Sequence, residues 1–271
     1  MNDDCYIARN LALSIGMKKT YVITGAGSGM GRATALELSK DDNNRLLLIG
    51  RTRSALEETI TTLHNQHQHS VADFDIRQPD SWKKTLSSAF NVETNLCGVF
   101  ANAGIGGENH YGSDDRWDEI ISINLTGTYV TIMELLPYLK QSGEAFKHIV
   151  ITSSCLARFG VPNYSAYCTA KTGLLGLTRS LALQFASDRI LVNALCPGWV
   201  ETEMSKASIQ RLADRNGQTY DAAFNEQMGY VPLGRISQPI EIARMVAFLF
   251  SNQQTSITGQ GLDINNGSFM Q

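Results

Sequence analysis

The stretch Thr24-Gly25-Ala26-Gly27-Ser28-Gly29-Met30-Gly31 follows a short apolar run and leads directly into a segment of helical pattern. Its glycines have the spacing GxxxGxG at Gly25, Gly29 and Gly31. Glycine lets the backbone approach a ligand closely, and the first N–H groups of a helix form the positive end of its dipole. The stretch therefore predicts a strand–loop–helix unit whose loop binds a pyrophosphate.

Short apolar runs alternate with helical segments along the chain, beginning with the run just before this loop. Nearly continuous apolar runs are typical of strands that are buried on both faces of a parallel sheet. The predicted strands are Thr20–Thr24, Arg45–Gly50, Ser70–Asp75, Gly98–Ala101, His148–Thr152, Ile190–Cys196 and Gly261–Ile264. The predicted helices are Gly31–Lys40, Ser54–Gln66, Asp80–Phe90, Trp117–Lys140, Tyr164–Ala186 and Pro239–Phe250. This alternation predicts an α/β fold of the Rossmann type, a doubly wound parallel sheet of about seven strands with helices on both faces.

Composition limits the domain organisation and the partners. The chain has 271 residues, is 43% hydrophobic and carries a net charge of −3. We expect one domain over residues 17–271, preceded by a poorly ordered extension at residues 1–16. Weak negative charge argues against nucleic acid as a partner, and no apolar run approaches the ~20 residues that span a bilayer.

The predicted compartment is the cytoplasm. The five cysteines have no CxxC spacing and are odd in number, which is typical of thiols in a reducing environment rather than of disulfides or a zinc site. Asp3 and Asp4 stand where a secretory signal carries basic residues. The cluster of His64, His67 and His69 lacks supporting cysteines or carboxylates, so no metal site is predicted.

The end of the second predicted strand indicates which dinucleotide binds. A carboxylate at this position suits the 2′-hydroxyl of NAD, whereas a basic residue suits the 2′-phosphate of NADP. The chain has no acid there, and Arg51 and Arg53 follow the strand directly. Two guanidinium groups favour NADP(H) over NAD(H), and the Ser28 hydroxyl is a second candidate ligand of the 2′-phosphate.

Tyr167 and Lys171 are four residues apart in a predicted helix, so they share one face. A phenol has an ordinary pKa near ~10, and a neighbouring ammonium favours its ionised form. The pair therefore predicts a phenol with a lowered pKa that exchanges protons with a carbonyl oxygen.

Together these motifs resemble the short-chain dehydrogenase/reductase family of the classical type, and the resemblance runs from about Lys18 to Met270. The segments similar to that family's other motifs are Asp75-Ile76, Asn102-Ala103-Gly104, Ile123-Asn124-Leu125, Thr152-Ser153-Ser154, and Pro197-Gly198 with Thr202. Ser154 precedes Tyr167 by thirteen residues, the spacing of the family's catalytic serine. The chain departs from the family pattern at Ala101, where the family has asparagine, and at Asn265-Asn266-Gly267, where it has Asp-Gly-Gly.

The resemblance implies a role for each matching residue. Tyr167 is the implied general acid or base, Lys171 lowers its pKa and binds the nicotinamide ribose, Ser154 bonds the substrate oxygen, and Asn124 holds a water. The implied cofactor-binding residues are Gly25, Ser28, Gly29, Met30, Gly31, Arg51, Asp75, Ile76, Asn102, Ala103, Gly104, Tyr167, Lys171, Pro197, Gly198, Val200 and Thr202.

Substrate recognition is expected in a long loop over residues 203–234, which is rich in apolar and aromatic side chains. This composition favours a medium-sized ketone or secondary alcohol, although Lys206, Arg211 and Arg215 suit a phosphate group of an acyl carrier. Val231-Pro232-Leu233-Gly234-Arg235 resembles bacterial 3-oxoacyl-thioester reductases. The family also implies a homotetramer or homodimer. Two alternatives stay open: an NAD(H)-dependent alcohol dehydrogenase, and a dinucleotide-binding sensor or scaffold without turnover.

Overall fold

Seven parallel strands form one sheet in the computed structural model, which describes residues 18–270. The strands are β1 (Lys19–Thr24), β2 (Asn44–Gly50), β3 (Ser70–Asp73), β4 (Asn95–Ala101), β5 (Lys147–Thr152), β6 (Ile190–Pro197) and β7 (Gly261–Ile264). Their order across the sheet is β3-β2-β1-β4-β5-β6-β7. The expected α/β fold of the Rossmann type is therefore confirmed. The extension predicted at residues 1–16 lies outside the described residues.

The helices cover both faces of this sheet. They are α1 (Gly29–Leu38), α2 (Arg53–Thr61), α3 (Pro79–Ala89), α4 (Trp117–Ile121), α5 (Gly127–Gln141), α6 (Ser165–Gln184), α7 (Glu203–Asn216), α8 (Tyr220–Gly229) and α9 (Pro239–Phe250). One apolar core joins the sheet to α3, α5 and α6, and a second joins its other face to α1, α2 and α9. Neighbouring strand residues alternate between the two cores, as Val22 and Ile23 do, because successive side chains point to opposite faces.

The strand order reverses between β1 and β4, and this reversal positions the site. From β1 the chain moves to β2 and β3 on one side, and it then returns to β4 on the other side. Loops that leave the carboxyl ends of β1 and β4 diverge, which leaves a crevice of the kind where ligands bind in open α/β sheets. The glycine-rich loop after β1 and the segment Asn102-Ala103-Gly104 after β4 both border this crevice.

Two predicted segments differ from the structure. The loop prediction over residues 203–234 is wrong, because most of the segment forms α7 and α8. Thr202 and Ser205 form a capping box at the start of α7, and Gly217 ends this helix with a φ of 63°. The single helix predicted over Trp117–Lys140 is divided, because a π-helical turn at Ser122–Thr126 separates α4 from α5.

Trp117–Gln141 is the one described stretch that reaches the length and mean hydropathy, 1.2, of a membrane-spanning helix. The same properties are found in core helices, and Ile132, Leu135 and Leu139 of α5 are fully buried in the core beneath the sheet. The packing of α5 against the sheet therefore accounts for its apolar composition.

Trp82 on α3 links the core to the crevice, and its removal is expected to destabilise the fold. Its ring is fully buried, its Nε1 donates to the Ile76 carbonyl at 2.9 Å, and it meets Phe74 edge-on at 5.0 Å. Trp82→Ala should lower the free energy of unfolding by about 3–5 kcal/mol in urea denaturation. Tyr111→Ala, at a fully exposed aromatic residue, is the control and should change it by less than about 0.5 kcal/mol. Equal effects of the two substitutions would contradict this description of the core.

Candidate active site

The glycine-rich loop between β1 and α1 has a backbone that only glycine supports without strain. Gly25 and Gly29 have φ values of +66° and +50°, in the left-handed region. A Cβ at Gly31 would collide with the Gly25 carbonyl oxygen, because the first turn of α1 lies directly against the loop. Ser28 makes no side-chain cap to this turn, so the turn's first N–H groups are not used by a cap and can serve as donors for an anion.

Two polar residues that sequence reasoning missed hold this loop in place. The Arg32 guanidinium donates to the Gly27 carbonyl at 2.6 Å and to Thr59 Oγ1 at 3.1 Å. Thr59 in turn donates to the Ala26 carbonyl at 3.0 Å. These contacts join the loop to α2 across the crevice wall. Their partners are distant in sequence, so no local motif predicts them.

A cleft of about 220 Å³ extends from the glycine-rich loop along the ends of β2, β3 and β4. Its lining includes Gly25, Ser28, Arg51, Asp75, Ile76, Ala103 and Gly104, seven of the residues predicted to bind the cofactor. Asp75 is partly buried and pairs with Arg77 at 2.6 Å, and this pairing holds the pKa of the Asp75 carboxyl below its usual range. The cleft thus brings together residues from four segments that are far apart in the sequence.

The two arginines after β2 differ in their surroundings. Arg53 is held by Glu57 at 2.8 Å and by Asp73 at 3.0 Å, and its exposed side chain is directed along α2. Arg51 is exposed, borders the cleft and makes no ion pair with any residue from 18 to 270. Arg53 therefore has two carboxylate partners that would compete with a phosphate, whereas Arg51 has none among the described residues.

Asn102 fastens the ends of three strands together at the centre of the site. Its Nδ2 donates to the Thr24 carbonyl at 3.1 Å, and its Oδ1 accepts from Thr152 Oγ1 at 3.1 Å. The backbone N–H groups of Asn102 and Ala103 both donate to Thr24 Oγ1 at 3.0 Å. This network ties the phosphate-binding end of β1 to the end of β5, from which Ser153 and Ser154 follow.

Tyr167, Lys171 and Ser154 lie together where β5 meets α6. The Lys171 Nζ is 5.5 Å from the Tyr167 ring centroid and donates to the Thr152 carbonyl at 2.8 Å. Ser154 is buried and its Oγ accepts from Leu156 N at 3.1 Å. Ser153 donates to the Lys171 carbonyl at 2.8 Å, which holds α6 against β5. The structure thus brings together the three side chains that the sequence placed in one site.

The pKa values of this pair differ from the sequence prediction. Desolvation raises the pKa of Tyr167 to about 12, and the neighbouring Ser154 hydroxyl works in the opposite direction. Desolvation also lowers the pKa of Lys171 to about 8, because an ammonium group is costly to bury. The predicted lowering of the phenol pKa by Lys171 is therefore wrong for the protein alone.

Asn124 supports the site from the π-helical turn. Its Oδ1 accepts from Ile105 N at 3.0 Å, and its Nδ2 donates to the Ile105 carbonyl at 2.9 Å. Both polar groups of the side chain are thus engaged with one residue of the loop after β4, whereas the resemblance assigned this residue to a water. A Cβ at Gly104 would collide with Asn124 Oδ1, so the tight approach of loop and helix requires glycine there.

The segment from Pro197 to Thr202, which was predicted to bind the nicotinamide, begins at the end of β6 and contacts the glycine-rich loop. Thr202 caps α7, and its methyl group lies against Gly29 of the phosphate loop. Gly198 packs on Asn265, while Val200 is buried and forms a bridge with Ser237. Met30 packs against the second core through α1.

Asn266 and Gly267 have φ values of +55° and +85°. The turn that the family builds with Asp-Gly-Gly is therefore preserved with an asparagine.

Similar proteins identify the family. Residues 25–268 match the protein family described as Enoyl-(Acyl carrier protein) reductase. The uncharacterized oxidoreductase YxbG of Bacillus subtilis is 32% identical over 254 residues, which cover 92% of this chain and 90% of that protein. The 3-oxoacyl-(acyl-carrier-protein) reductase FabG of Staphylococcus aureus is 30% identical over 258 residues, or 94% of this chain and 99% of FabG. The chain belongs to the short-chain dehydrogenase/reductase family.

Solved structures of this family's oxidoreductases share the fold and differ in cofactor. An actinorhodin polyketide ketoreductase with NADPH has a TM-score of 0.84 and 27% identity, covering 93% of this chain and 97% of that chain. An NAD⁺-bound xylitol dehydrogenase has a TM-score of 0.83 and 28% identity, covering 92% and 98%. Solved structures with this fold therefore include one with NADPH and one with NAD⁺, so the fold alone does not distinguish the two dinucleotides.

The basic residues that the sequence offered for a substrate phosphate have internal partners. Arg215 pairs with Glu108 at 2.9 Å, Lys206 pairs with Glu203 at 3.1 Å, and Arg211 donates to Ser208 at 2.9 Å. The Glu108–Arg215 pair connects the loop after β4 with α7.

His69, one of the three clustered histidines, forms hydrogen bonds beside the sheet. His69 is half-buried, its Nδ1 accepts from Leu46 N at 3.2 Å, and its Nε2 contacts the His64 carbonyl at 2.8 Å. No group of metal ligands occurs among residues 18–270. His69 therefore supports the edge of the sheet.

The buried Lys171 should lower the stability of the protein in the absence of cofactor. Its pKa of about 8 lies below the ordinary ~10.4, so between these pH values the unfolded chain binds more protons and stability rises with pH. Lys171→Met removes this penalty and should raise the free energy of unfolding at pH 7 by about 1–3 kcal/mol. The gain should shrink between pH 8 and pH 10, as measured by urea denaturation.

Lys83→Met on α3 is the matched control, because the Lys83 side chain is 68% exposed. Its free energy of unfolding should differ from that of the unsubstituted protein by an amount that does not change with pH. If the free energy of unfolding of Lys171→Met also differs from that of the unsubstituted protein by an amount independent of pH, burial of the ammonium has no energetic consequence.

Proposed function

We propose that this protein is an NADP(H)-dependent oxidoreductase that transfers a hydride between the nicotinamide and a ketone or secondary alcohol. The observation that carries the proposal is the convergence of Ser154, Tyr167 and Lys171 beside a crevice bordered by the glycine-rich loop. The residues present fit a dinucleotide, since glycines without side chains leave space for the pyrophosphate and the cleft beyond them offers room for the adenosine half.

Cofactor preference is proposed from Arg51. Its guanidinium borders the adenosine cleft and no carboxylate follows β2 to accept a ribose hydroxyl bond. A 2′-phosphate offers the planar guanidinium a charge-assisted bond, which is roughly twice as strong as a neutral one. Ser28 lies on the same wall of the cleft and adds a hydroxyl donor.

In the proposed reduction, the cofactor supplies the hydride and the chain's own residues control the proton. Tyr167 donates its phenolic proton to the substrate oxygen, where negative charge grows, and Ser154 donates a hydrogen bond to the same oxygen. A phenol with a pKa of about 12 keeps its proton at pH 7, which is the form that ketone reduction needs.

Lys171 and Asn124 organise this proton transfer. Lys171 holds the end of β5 through the Thr152 carbonyl and keeps a positive charge beside the phenol ring. Asn124 fixes Ile105 and with it the loop that separates the cofactor crevice from the substrate side. The Tyr167 phenol thus lies between the Lys171 ammonium and the loop after β4 when it transfers its proton.

Substrate class, assembly and compartment are parts of the same proposal. The similarity to FabG and to the polyketide ketoreductase supports a medium-sized ketone. A homotetramer or homodimer is supported by apolar side chains exposed on α5 and α6, Tyr129 at 47% and Leu183 at 82%. A cytoplasmic location is supported by Cys97, Cys155, Cys168 and Cys196, which are free thiols. We further propose that residues 17–271 act as one catalytic domain.

Two other functions remain to be tested against this one. An NAD(H)-dependent alcohol dehydrogenase is favoured by the NAD⁺-bound xylitol dehydrogenase of the same fold. A sensor or scaffold that binds the dinucleotide without turnover has no need of Ser154, Tyr167 and Lys171 gathered at one place. The two substitutions below separate these functions.

Tyr167→Phe removes only the phenolic oxygen. We expect kcat to fall by about 10²–10⁴-fold, the range lost with a general acid, while the Kd for NADPH changes by less than about threefold. Stopped-flow turnover and fluorescence titration measure the two quantities. Tyr164→Phe, at the neighbouring ring, is the control and should keep most of the activity. Full activity in Tyr167→Phe would refute the mechanism.

Arg51→Asp replaces the proposed phosphate ligand by a carboxylate that suits a ribose hydroxyl. The ratio of kcat/KM for NADPH to that for NADH should fall by at least about tenfold, because a charged hydrogen bond is lost and a repulsion is added. Arg53→Asp tests the paired arginine and should change the ratio much less. If neither substitution alters the ratio, the NADP(H) proposal fails and the alternative with NAD(H) gains support.

A further inference from the structure

Asn109 lies in the loop after β4 and is buried, although no motif of the sequence points to it. Only 8% of its surface is exposed, and both its backbone N–H and its side-chain amide have partners. The backbone N–H donates to the Asn163 carbonyl at 2.8 Å. The Oδ1 accepts from Ala166 N at 2.9 Å and from Ser165 Oγ at 3.1 Å. Asn109 thus contacts the first turn of α6 from outside this helix.

This contact replaces a cap that α6 does not have from its own sequence. The residue before the helix, Tyr164, has φ −114° and ψ 25° and makes no side-chain cap. The first N–H groups of a helix need acceptors, and Ser, Thr, Asp or Asn at the start of the helix usually supply them. In α6 the acceptor comes from a residue 57 positions earlier in the chain. Tyr167 is the residue directly after Ala166, so the cap lies beside the phenol-bearing position.

The other end of the Asn109 amide holds a second helix. Its Nδ2 donates to Asp115 Oδ1 at 3.2 Å, and this same oxygen accepts from Trp117 N at 3.0 Å, at the first residue of α4. The helix α4 continues through the π-helical turn that carries Asn124. One amide side chain therefore connects the start of the helix with Tyr167 and Lys171 to the start of the helix that leads to Asn124.

We propose that Asn109 is a positioning residue for the reaction, which fixes the start of α6, and with it Tyr167, relative to Asn124 and the loop after β4. The inference rests on the proposed function, because positioning has a catalytic consequence only if Tyr167 transfers the proton. Reacting groups must be held within fractions of an ångström, and a displacement of about 1 Å costs about 10²-fold in rate. Asn109 itself does not need to touch substrate or cofactor for this role.

Asn95 provides a matched control at the amino end of β4, away from the carboxyl ends of the strands where the site lies. It is 4% exposed, its Oδ1 accepts from Ser142 Oγ at 2.7 Å and from Gly143 N at 3.2 Å, and its Nδ2 donates to Glu144 at 3.3 Å. It therefore makes the same set of bonds, to a hydroxyl, a backbone N–H and a carboxylate, at the amino end of β4. Asn95→Ala and Asn109→Ala remove equivalent interactions, and only the second is near the site.

The first experiment compares these two variants in turnover of a ketone with NADPH, per folded protein as measured by circular dichroism. Asn109→Ala should lower kcat by about 10–100-fold and leave the Kd for NADPH within about threefold. Asn95→Ala should leave kcat within about twofold. The proposal is overturned if both variants lose activity equally, or if Asn109→Ala keeps a kcat close to that of the unsubstituted protein.

Asn109→Asp supplies a second test that does not depend on how well the alanine variant folds. The introduced carboxylate keeps the acceptor for Ala166 N but faces Asp115 with a like charge and has no donor. Protonation of the introduced carboxyl group restores the donor, and two neighbouring carboxyl groups share a proton more readily than either binds one alone. The kcat of this variant, divided by that of the unsubstituted protein at each pH, should therefore rise by about tenfold from about pH 8 to pH 6. A ratio that stays constant with pH contradicts the proposal.

Hydrogen exchange separates a failure of this inference from a failure of the proposed function. In Asn109→Ala the Ala166 N–H loses its acceptor, so amides at residues 164–171 should exchange faster, whereas Asn95→Ala should leave them unchanged. Unchanged exchange in Asn109→Ala overturns the inference. If the unsubstituted protein itself reduces no ketone, the proposed function fails, and the exchange result alone decides whether Asn109 holds α6.

Discussion

The hydrogen bonds of Asn102 set the distance between the two halves of the site. Its amide joins the Thr24 carbonyl at the end of β1 to Thr152 at the end of β5, although these strands are separated by β4. The phosphate loop continues from Thr24, and Ser154 follows Thr152 by two residues. Because the amide spans both ends, the glycine-rich loop and Ser154 are held at one spacing. A Cβ at Gly25 or Gly31 would collide with the Asn102 Nδ2, so glycine is required where the loop meets this amide.

Burial of the positively charged Lys171 near this network lowers the stability of the fold. Lys171 is 4% exposed, has one hydrogen bond from its ammonium to a backbone carbonyl, and meets no carboxylate among the described residues. A fold selected for stability alone would place an apolar side chain there. The same desolvation raises the pKa of Tyr167 and lowers that of Lys171, so at pH 7 the phenol stays protonated and the ammonium, although still charged, is closer to losing its proton than an exposed lysine.

Local patterns in the sequence predicted the features that depend on neighbouring residues. The spacing of Gly25, Gly29 and Gly31 and the four-residue spacing of Tyr167 and Lys171 both describe contacts within one turn or one loop. The starts of α7 and α8 were also encoded locally, in the caps formed by Thr202 with Ser205 and by Thr219, but the long stretch between two predicted strands led to the prediction of a loop. Interactions between distant segments were beyond such patterns. Thr59 and Asn109 bond to partners that only the folded sheet brings near them, and desolvation of Tyr167 likewise requires the packed structure. Sequence spacing shows that a lysine lies near the phenol. It does not show how much water the folded protein excludes from the phenol.

The most direct test is oxidation of reduced nicotinamide by the purified protein, measured with 3-oxoacyl thioesters and cyclic ketones and with either NADPH or NADH. An enoyl thioester of the same length is included, because the matching family is described by that reaction. We expect ketone-dependent oxidation of NADPH that exceeds that of NADH. Binding of both dinucleotides without oxidation by any ketone, or reduction of the enoyl thioester alone, would contradict the assignment of Tyr167 as proton donor to a ketone.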